Sequence, residues 1–135
     1  MTQEEKDLLL KDLCGRLPYG VYVEVDQEGL QNYNNYWNNW NFNEEPQEID
    51  GVNIYGVTFG CMDMNDGTIP FEFIKPYLFP LSSMTEEQEK EWRYTLSSDG
   101  NVTYDTVDWC NENHFDYRGL IPKGLVNDAT GLNIY

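Results

Sequence analysis

The sequence has few positively charged residues, and they are unevenly placed. Eight lysines and arginines oppose 24 aspartates and glutamates, which gives a formal net charge of −16. No lysine or arginine occurs between Arg16 and Lys75, although ten acidic residues lie in that stretch. We call residues 17–74 the acidic segment. It cannot neutralise its own charge, so it must be hydrated, face cations from the chain ends, or face a cationic partner.

This charge distribution excludes some classes of partner. Direct binding to nucleic acid is disfavoured, because phosphate contacts require lysine and arginine. A basic protein or a bound Ca²⁺ remains compatible with the charge. Asp63, Asn65 and Asp66 approach the pattern of a calcium loop, but the downstream glycine and glutamate are missing, which favours a hairpin turn.

The sequence also lacks long apolar runs and clustered cysteines, and a secretory signal is not expected. No run approaches the roughly 20 apolar residues of a membrane span. The acidic start of the chain does not resemble a secretory signal, so a cytoplasmic protein is expected. Cys14, Cys61 and Cys110 form no CxxC pair and are expected to be reduced, mostly buried thiols. We therefore predict no metal site and no cofactor.

The apolar content is sufficient for a folded chain. Hydrophobic residues make up 40% and aromatic residues 15% of the sequence, too much for a disordered chain, and 1–135 is expected to form a single domain. Thr2 and Glu5 have the spacing of a capping box, which predicts a helix from about Gln3. The alternation from Val21 to Val25 predicts a half-buried strand.

The remaining patterns predict an α+β fold. Residues 52–59 read as a strand, and Asn65–Gly67 reads as the turn of a hairpin joining 60–64 to 68–73. Residues 74–81 are expected to be extended and to cross the core. Ser83 with Glu86, overlapped by Thr85 with Gln88, has the spacing of a capping box and predicts a helix over about 84–96. A further helix is predicted from Asp105 or Thr106 to about 113, with a short strand at 102–104. We expect a small antiparallel sheet of about four strands packed with two or three short helices.

The segment from Gln31 to Asn43 alternates asparagine with aromatic residues. Its periodicity fits neither helix nor strand consistently, so we predict a long loop or an irregular hairpin. Aromatic faces beside amides can bind sugars or peptides, although docking of these rings on the sheet is the favoured role. The binding residues predicted here and just beyond are Tyr33, Tyr36, Trp37, Trp40, Phe42, Glu44, Glu45 and Glu48.

Residues 108–126 concentrate large apolar side chains with scarce polar types, including the only histidine. We predict that this segment is a structural anchor, formed by Trp109, His114, Phe115, Asp116, Tyr117 and Arg118. Arg118 is expected to pair with Asp116. Cys110 and His114 are four residues apart, so on a helix they would share a face and could form a nucleophilic pair or half of a metal site. Because they also continue an apolar stripe, we favour a structural role, predict no catalytic residue and expect no enzymatic activity.

Three parts of the chain resemble known sequences. They are residues 1–14 with Leu17–Val21, Ile74–Tyr77 with 82–87, and Asp108–Trp109 with His114–Ile121 and Lys123–Leu125. Together they resemble a set of short proteins from gut Bacteroidetes genomes and their phages or prophages. The resemblance implies a phage or mobile-element origin and a location in the host cell, and it implies no particular activity. Residues 26–51 lie outside it.

Two functional hypotheses follow. The first is an acidic, non-enzymatic interaction protein that binds a cationic protein through residues 17–74, with imitation of nucleic-acid charge as one way of doing so. The alternative is a module that binds carbohydrate or another small ligand through residues 31–43.

Overall fold

The computed structural model describes residues 1–39, 41–42, 45–59 and 67–135. In these ranges there are four α-helices: α1 (Gln3–Arg16), α2 (Gln27–Tyr33), α3 (Glu86–Thr95) and α4 (Tyr104–Glu112). The eight strands are β1 (Tyr22–Val25), β2 (Gln47–Glu48), β3 (Gly51–Asn53), β4 (Gly56–Thr58), β5 (Ile69–Pro70), β6 (Ile74–Pro80), β7 (Phe115–Asp116) and β8 (Asn127–Asp128). The predicted strand 60–64, the first residues of the predicted turn, Cys61, Trp40 and Glu44 lie outside the described residues.

The strands form two sheets rather than one. In the larger sheet the order is β2-β1-β6-β7, and β8 also pairs with β6. β1 runs antiparallel to β2 and β6, whereas β7 and β8 run parallel to β6. The smaller sheet is antiparallel, in the order β3-β4-β5. The α+β class is confirmed, and the parallel pairs add a feature that the sequence patterns did not predict.

The first and third helices begin at predicted capping boxes. The Thr2 hydroxyl accepts from the Glu5 amide at 3.1 Å, and the Glu5 carboxylate accepts from the Thr2 amide at 2.9 Å. Thr85 and Gln88 repeat the arrangement at α3. For α4 the predicted cap was wrong, since Thr103 caps the helix and its hydroxyl donates to the Thr95 carbonyl at 2.7 Å. Because Thr103 is the N-cap of α4 and Tyr104 begins the helix, residues 102–104 do not form the predicted strand.

The predicted strand over 52–59 was also wrong, because a tight turn divides it into β3 and β4. The Asn53 side-chain oxygen accepts from the amides of Tyr55 at 2.8 Å and Gly56 at 3.2 Å, which closes the turn. A Cβ on Gly56 would lie only 1.8 Å from the Ile69 carbonyl oxygen. Only glycine therefore allows β4 to approach β5 this closely.

Most of the described residues between positions 31 and 43 are helical, which corrects the predicted loop or irregular hairpin. α2 continues to Tyr33 and a 3₁₀ helix follows at Asn35–Asn39. Two glutamines on either side of the segment hold the chain after the 3₁₀ helix: Gln27 accepts from the Phe42 amide at 2.9 Å, and Gln47 donates to the Phe42 carbonyl at 2.8 Å. Because these amides come from outside the segment, its own periodicity could not predict the conformation.

β6 crosses the centre of the molecule, as predicted for residues 74–81. Its inner positions Ile74 and Leu78 join one cluster of buried apolar side chains with Leu9 and Leu13 of α1. The alternation along β1 is also as predicted, with Val23 and Val25 buried and Glu24 exposed. α1, α2 and both sheets thus share this apolar cluster.

A buried charge cluster lies beside the apolar core. Asp12 and Arg16 have no exposed side-chain surface, and Arg16 Nε donates to Asp12 Oδ2 at 2.7 Å. Arg16 also donates to the Phe115 carbonyl at 2.7 Å and the Cys110 carbonyl at 3.4 Å. Arg118 Nε donates to the second Asp12 oxygen at 3.1 Å. The Asp12 carboxylate therefore ties α1 to the segment after β7, and Arg16 ties α1 to the end of α4 and to β7.

Among the described residues, no helix combines the length and the apolar content required to cross a membrane.

Candidate functional site

The acidic segment places its carboxylates on the surface. Seven of its acidic residues are described, and all seven are exposed: Glu24, Asp26, Glu28, Glu45, Glu48, Asp50 and Glu72. Glu24 and Glu48 project from β1 and β2, while Asp26 caps α2 by accepting from the Gly29 amide at 3.0 Å. These elements are fixed by the core below them, so the carboxylates are held on a folded scaffold.

Few of these carboxylates are neutralised within the chain. Among the described residues, four ion pairs lie within 4.0 Å, and only the pair between Lys6 and Glu72 reaches the acidic segment. Arg16 and Arg118 both pair with Asp12, which lies outside it. Six of the seven described carboxylates in the acidic segment therefore have no lysine or arginine partner within that distance.

The neighbouring carboxylates contribute to raising the pKa of two tyrosines. The Glu48 carboxylate raises the pKa of Tyr22, with a smaller contribution from burial. Burial, followed by the Glu24 carboxylate, raises the pKa of Tyr77. In both cases a neighbouring negative charge disfavours the phenolate. On β1 and β6, Tyr22 and the buried Tyr77 therefore lie next to carboxylates that have no lysine or arginine of the described chain within 4.0 Å.

The predicted aromatic binding residues are divided between core and surface. Trp37 is only 4% exposed and Phe42 only 3%, so the prediction that they offer their faces to a ligand was wrong. Phe42 packs against Phe59, with their ring centroids 5.4 Å apart. Tyr33 and Tyr36 are exposed, as are the carboxylates of Glu45 and Glu48. Trp40 and Glu44 lie outside the described residues.

The anchor segment around α4 packs as a unit. The rings of Trp109 and Phe115 stack with centroids 5.4 Å apart and an interplanar angle of 5°. Asp116 is buried and its carboxylate accepts from the amides of Leu120 at 3.0 Å and Ile121 at 2.9 Å. Asp116 thus shapes the following turn.

The predicted ion pair between Asp116 and Arg118 was wrong. Arg118 pairs with Asp12 instead, because Asp116 is occupied by backbone amides. The Tyr117 ring lies next to both arginines, 5.1 Å from the guanidinium carbon of Arg16 and 4.9 Å from that of Arg118. These cation–π contacts extend the buried charge cluster.

The ionisation of Cys110 and His114 does not suit a nucleophilic pair. Burial raises the pKa of the Cys110 thiol to about 11, although the positive charge of Arg16 opposes this shift. Burial, reinforced by Arg16, lowers the pKa of His114 to about 4. A cysteine nucleophile requires an accessible thiolate, whereas these shifts favour a neutral thiol and a neutral imidazole. Cys14, which we expected to be buried, is exposed.

A cluster around Tyr135 was missed by sequence reasoning. The rings of His114 and Tyr135 stack with centroids 3.6 Å apart, and His114 adopts a positive φ of 63°. The Tyr135 hydroxyl donates to the Tyr77 carbonyl at 2.7 Å and accepts from the Tyr22 amide at 3.2 Å. The left-handed backbone of His114 turns the chain from α4 into β7. No local pattern links these residues, because they come from distant parts of the chain.

No group of three or more histidine, cysteine, aspartate or glutamate side chains in the described ranges is placed to hold a metal ion. A scan against protein-family models, a search of curated proteins and a search of solved structures each returned no match to this chain.

Proposed function

We propose that this chain is a non-enzymatic interaction protein that binds a cationic protein partner through the exposed carboxylates of residues 17–74. The observation that carries the proposal is the lack of internal neutralisation: among the seven described carboxylates, only Glu72 has a lysine or arginine within 4.0 Å. Like charges held on a folded scaffold repel one another, and a cationic surface would relieve that repulsion. Electrostatic attraction would also accelerate the encounter.

The proposed setting is the cytoplasm of a bacterial host, in a protein of phage or mobile-element origin. The resemblance of the chain ends to short proteins of gut Bacteroidetes and their phages is the support for this origin. The charge of the acidic segment supports a basic protein as the partner and disfavours direct contact with nucleic acid.

The alternative of carbohydrate binding has less support. Trp37 and Phe42 are buried, and Trp37 packs edge-on against Tyr36 at 5.1 Å. Sugar-binding surfaces usually present open aromatic faces, which these two rings do not offer.

A pull-down from host lysate with matched charge variants tests the proposal. One variant replaces three exposed carboxylates of the acidic segment, Glu24→Gln, Glu28→Gln and Glu48→Gln. Its control replaces three exposed carboxylates elsewhere, Glu86→Gln, Glu87→Gln and Asp105→Asn, for the same change in net charge. We expect a basic protein to be retained at low salt by the wild type and the control, and to be lost by the first variant.

Salt provides the second arm of the experiment. The screening length falls from about 10 Å at 0.1 M salt to about 3 Å at 1 M, so about 0.5 M salt is expected to release the partner. Retention unchanged by salt would contradict an electrostatic interaction. Equal loss from both variants would show that total charge matters and that the acidic segment has no special role.

A further inference from the structure

A groove of about 430 Å³ lies between α1, the end of α2 and the turn of the β3–β4 hairpin. We call it the hairpin groove. Its lining includes Lys6 and Leu10 of α1, Tyr33 of α2, Ile54 and Tyr55 of the turn, and Glu72. Four of these six residues belong to the acidic segment. The groove is therefore a concave part of the surface to which we assign partner binding.

The turn at the rim of the groove carries apolar side chains that the turn itself does not require. Ile54 is 67% exposed and Tyr55 is 72% exposed. The Asn53 side chain already accepts hydrogen bonds from the amides of Tyr55 and Gly56 and so closes the turn. Such turns usually carry small or polar residues. Tyr33, at 62% exposure, adds a third open apolar group. Contiguous exposed apolar groups of this kind often mark interaction sites.

A lysine of the chain itself already occupies the charged side of the groove. Lys6 Nζ lies 2.5 Å from the Glu72 carboxylate, and both side chains are about one-third exposed. The contact shows that the groove accommodates an ammonium group next to Glu72. Because the pair is partly hydrated, it is worth little and can be exchanged for another cation.

The negative charge continues beyond the hairpin groove. A second cleft of about 240 Å³ is lined by Glu24, Asp26 and Glu72, with Phe73 and Lys75. The two clefts share Glu72, and the Tyr33 and Phe73 rings lie 5.3 Å apart between them. The continuous surface thus combines aromatic rings with an excess of carboxylates, which complements a segment that is both cationic and apolar.

We propose that the hairpin groove docks a peptide segment of the basic partner in which lysine or arginine adjoins an apolar side chain. The apolar side chain packs against Ile54 and Tyr55, and the cation pairs with Glu72 and displaces Lys6 from it. The rings of Tyr33 and Tyr55 can also receive a cation over their faces. Lys6 is then an internal competitor that weakens binding. This inference rests on the proposed function, since it specifies where and how the basic partner is held.

Two synthetic heptapeptides of equal charge test the inference. One alternates lysine with leucine and the other alternates lysine with serine, and binding is measured by calorimetry at low salt. We expect the leucine peptide to bind more tightly, and amide chemical shifts to change around Lys6, Tyr33, Tyr55 and Glu72. Tyr55→Ser is expected to remove the preference for leucine, whereas Tyr104→Ser, which alters an even more exposed tyrosine elsewhere, is not.

A separate pair of matched variants tests whether Lys6 competes with the peptide for Glu72. Lys6→Met is expected to tighten binding of the leucine peptide by about two- to fivefold, because it frees Glu72. Lys90→Met makes the same charge change at an exposed position on α3 and is expected to have a smaller effect. Equal effects of the two substitutions, with no preference between the peptides, would overturn the inference.

The outcomes also separate this inference from the proposed function. Salt-sensitive binding of both peptides without preference would leave the acidic surface as the binding site and reject the groove. Binding that is insensitive to salt but lost in Tyr55→Ser would retain the groove and reject charge as the driving force. Failure of both peptides to bind at low salt would reject both.

Discussion

Replacing Asp12 by alanine should cost far more stability than breaking a surface ion pair. Asp12 accepts from two arginines, at 2.7 and 3.1 Å, and its side chain is fully buried. Without it, the Arg16 guanidinium stays buried next to the carbonyls of Cys110 and Phe115 and the Tyr117 ring, with no carboxylate to balance its charge. Removing one partner of a buried pair typically costs about 3–5 kcal/mol, because an uncompensated charge remains.

The expected loss is a large part of the stability of a domain of this size, which is usually about 5–15 kcal/mol. Urea unfolding followed by tryptophan fluorescence should show a lower midpoint at an unchanged slope. In a thermal scan, the melting temperature should fall by roughly 10–20 °C. The matched control is Glu89→Ala, which breaks an exposed pair with Arg93 at the same helical spacing. It should cost at most about 0.5 kcal/mol.

A double substitution separates charge from packing. Asp12→Leu combined with Arg16→Met removes both buried charges and fills the site with apolar groups, and such replacements can be neutral or stabilising. We expect the double variant to recover much of the loss seen in Asp12→Ala. If Asp12→Ala costs no more than Glu89→Ala, the assignment of Asp12 as the counter-ion that holds α1 to residues 110–118 is wrong.

Three further predictions follow from individual residues. Gly56→Ala should destabilise the fold by more than about 2 kcal/mol in urea unfolding, because its Cβ would meet a carbonyl of β5 at 1.8 Å; a cost of a few tenths would contradict the observed strand approach. The native pKa of His114, about 4, lies below the ordinary 6.5, so the unfolded chain binds its proton first as pH falls. The stability advantage over His114→Gln should therefore be complete above pH 6.5 and be lost towards pH 4; an advantage independent of pH would refute this. In a Cys61→Ser background, exposed Cys14 should react with a thiol reagent at once and Cys110 only on unfolding; two fast thiols would contradict the burial.

Local signals in the sequence predicted the elements whose stabilising contacts lie within a few residues. The capping boxes at Thr2 and Thr85 are satisfied by residues three positions later, and the predicted helices begin there. The alternation from Val21 to Val25 produced a strand with buried valines. In each case the residues that form the pattern and the residues that they contact lie within a few positions of one another in the sequence.

The errors occurred where a distant residue or a single side chain decides the structure. Residues 52–59 alternate like a strand, but the Asn53 side chain closes a turn within them. The conformation near Phe42 depends on Gln27 and Gln47. Arg118 finds its carboxylate 106 positions away, and no spacing rule could have identified that partner.

One signal for the buried charge cluster was present in the sequence. Leu9, Asp12, Leu13 and Arg16 follow the spacing of a single helical face. Reading only the leucines of that face identifies the buried side of α1, but it misses the charged pair between them. Charged residues at core spacing, four apart and of opposite sign, indicate a buried ion pair when the surrounding positions are apolar.

The buried charge cluster also affects the charge of the molecular surface, because it withdraws two arginines from that surface. Asp12 takes up Arg16 and Arg118 together, so the remaining six cations of the chain stand against 23 acidic residues. The arrangement that fixes α1 to residues 110–118 therefore makes the rest of the molecule more negative than the net charge of −16 implies. An exposed surface with that imbalance would gain most from a partner that supplies lysine and arginine. In the hairpin groove a single lysine already contacts Glu72, and the groove offers such a partner both negative charge and apolar contact.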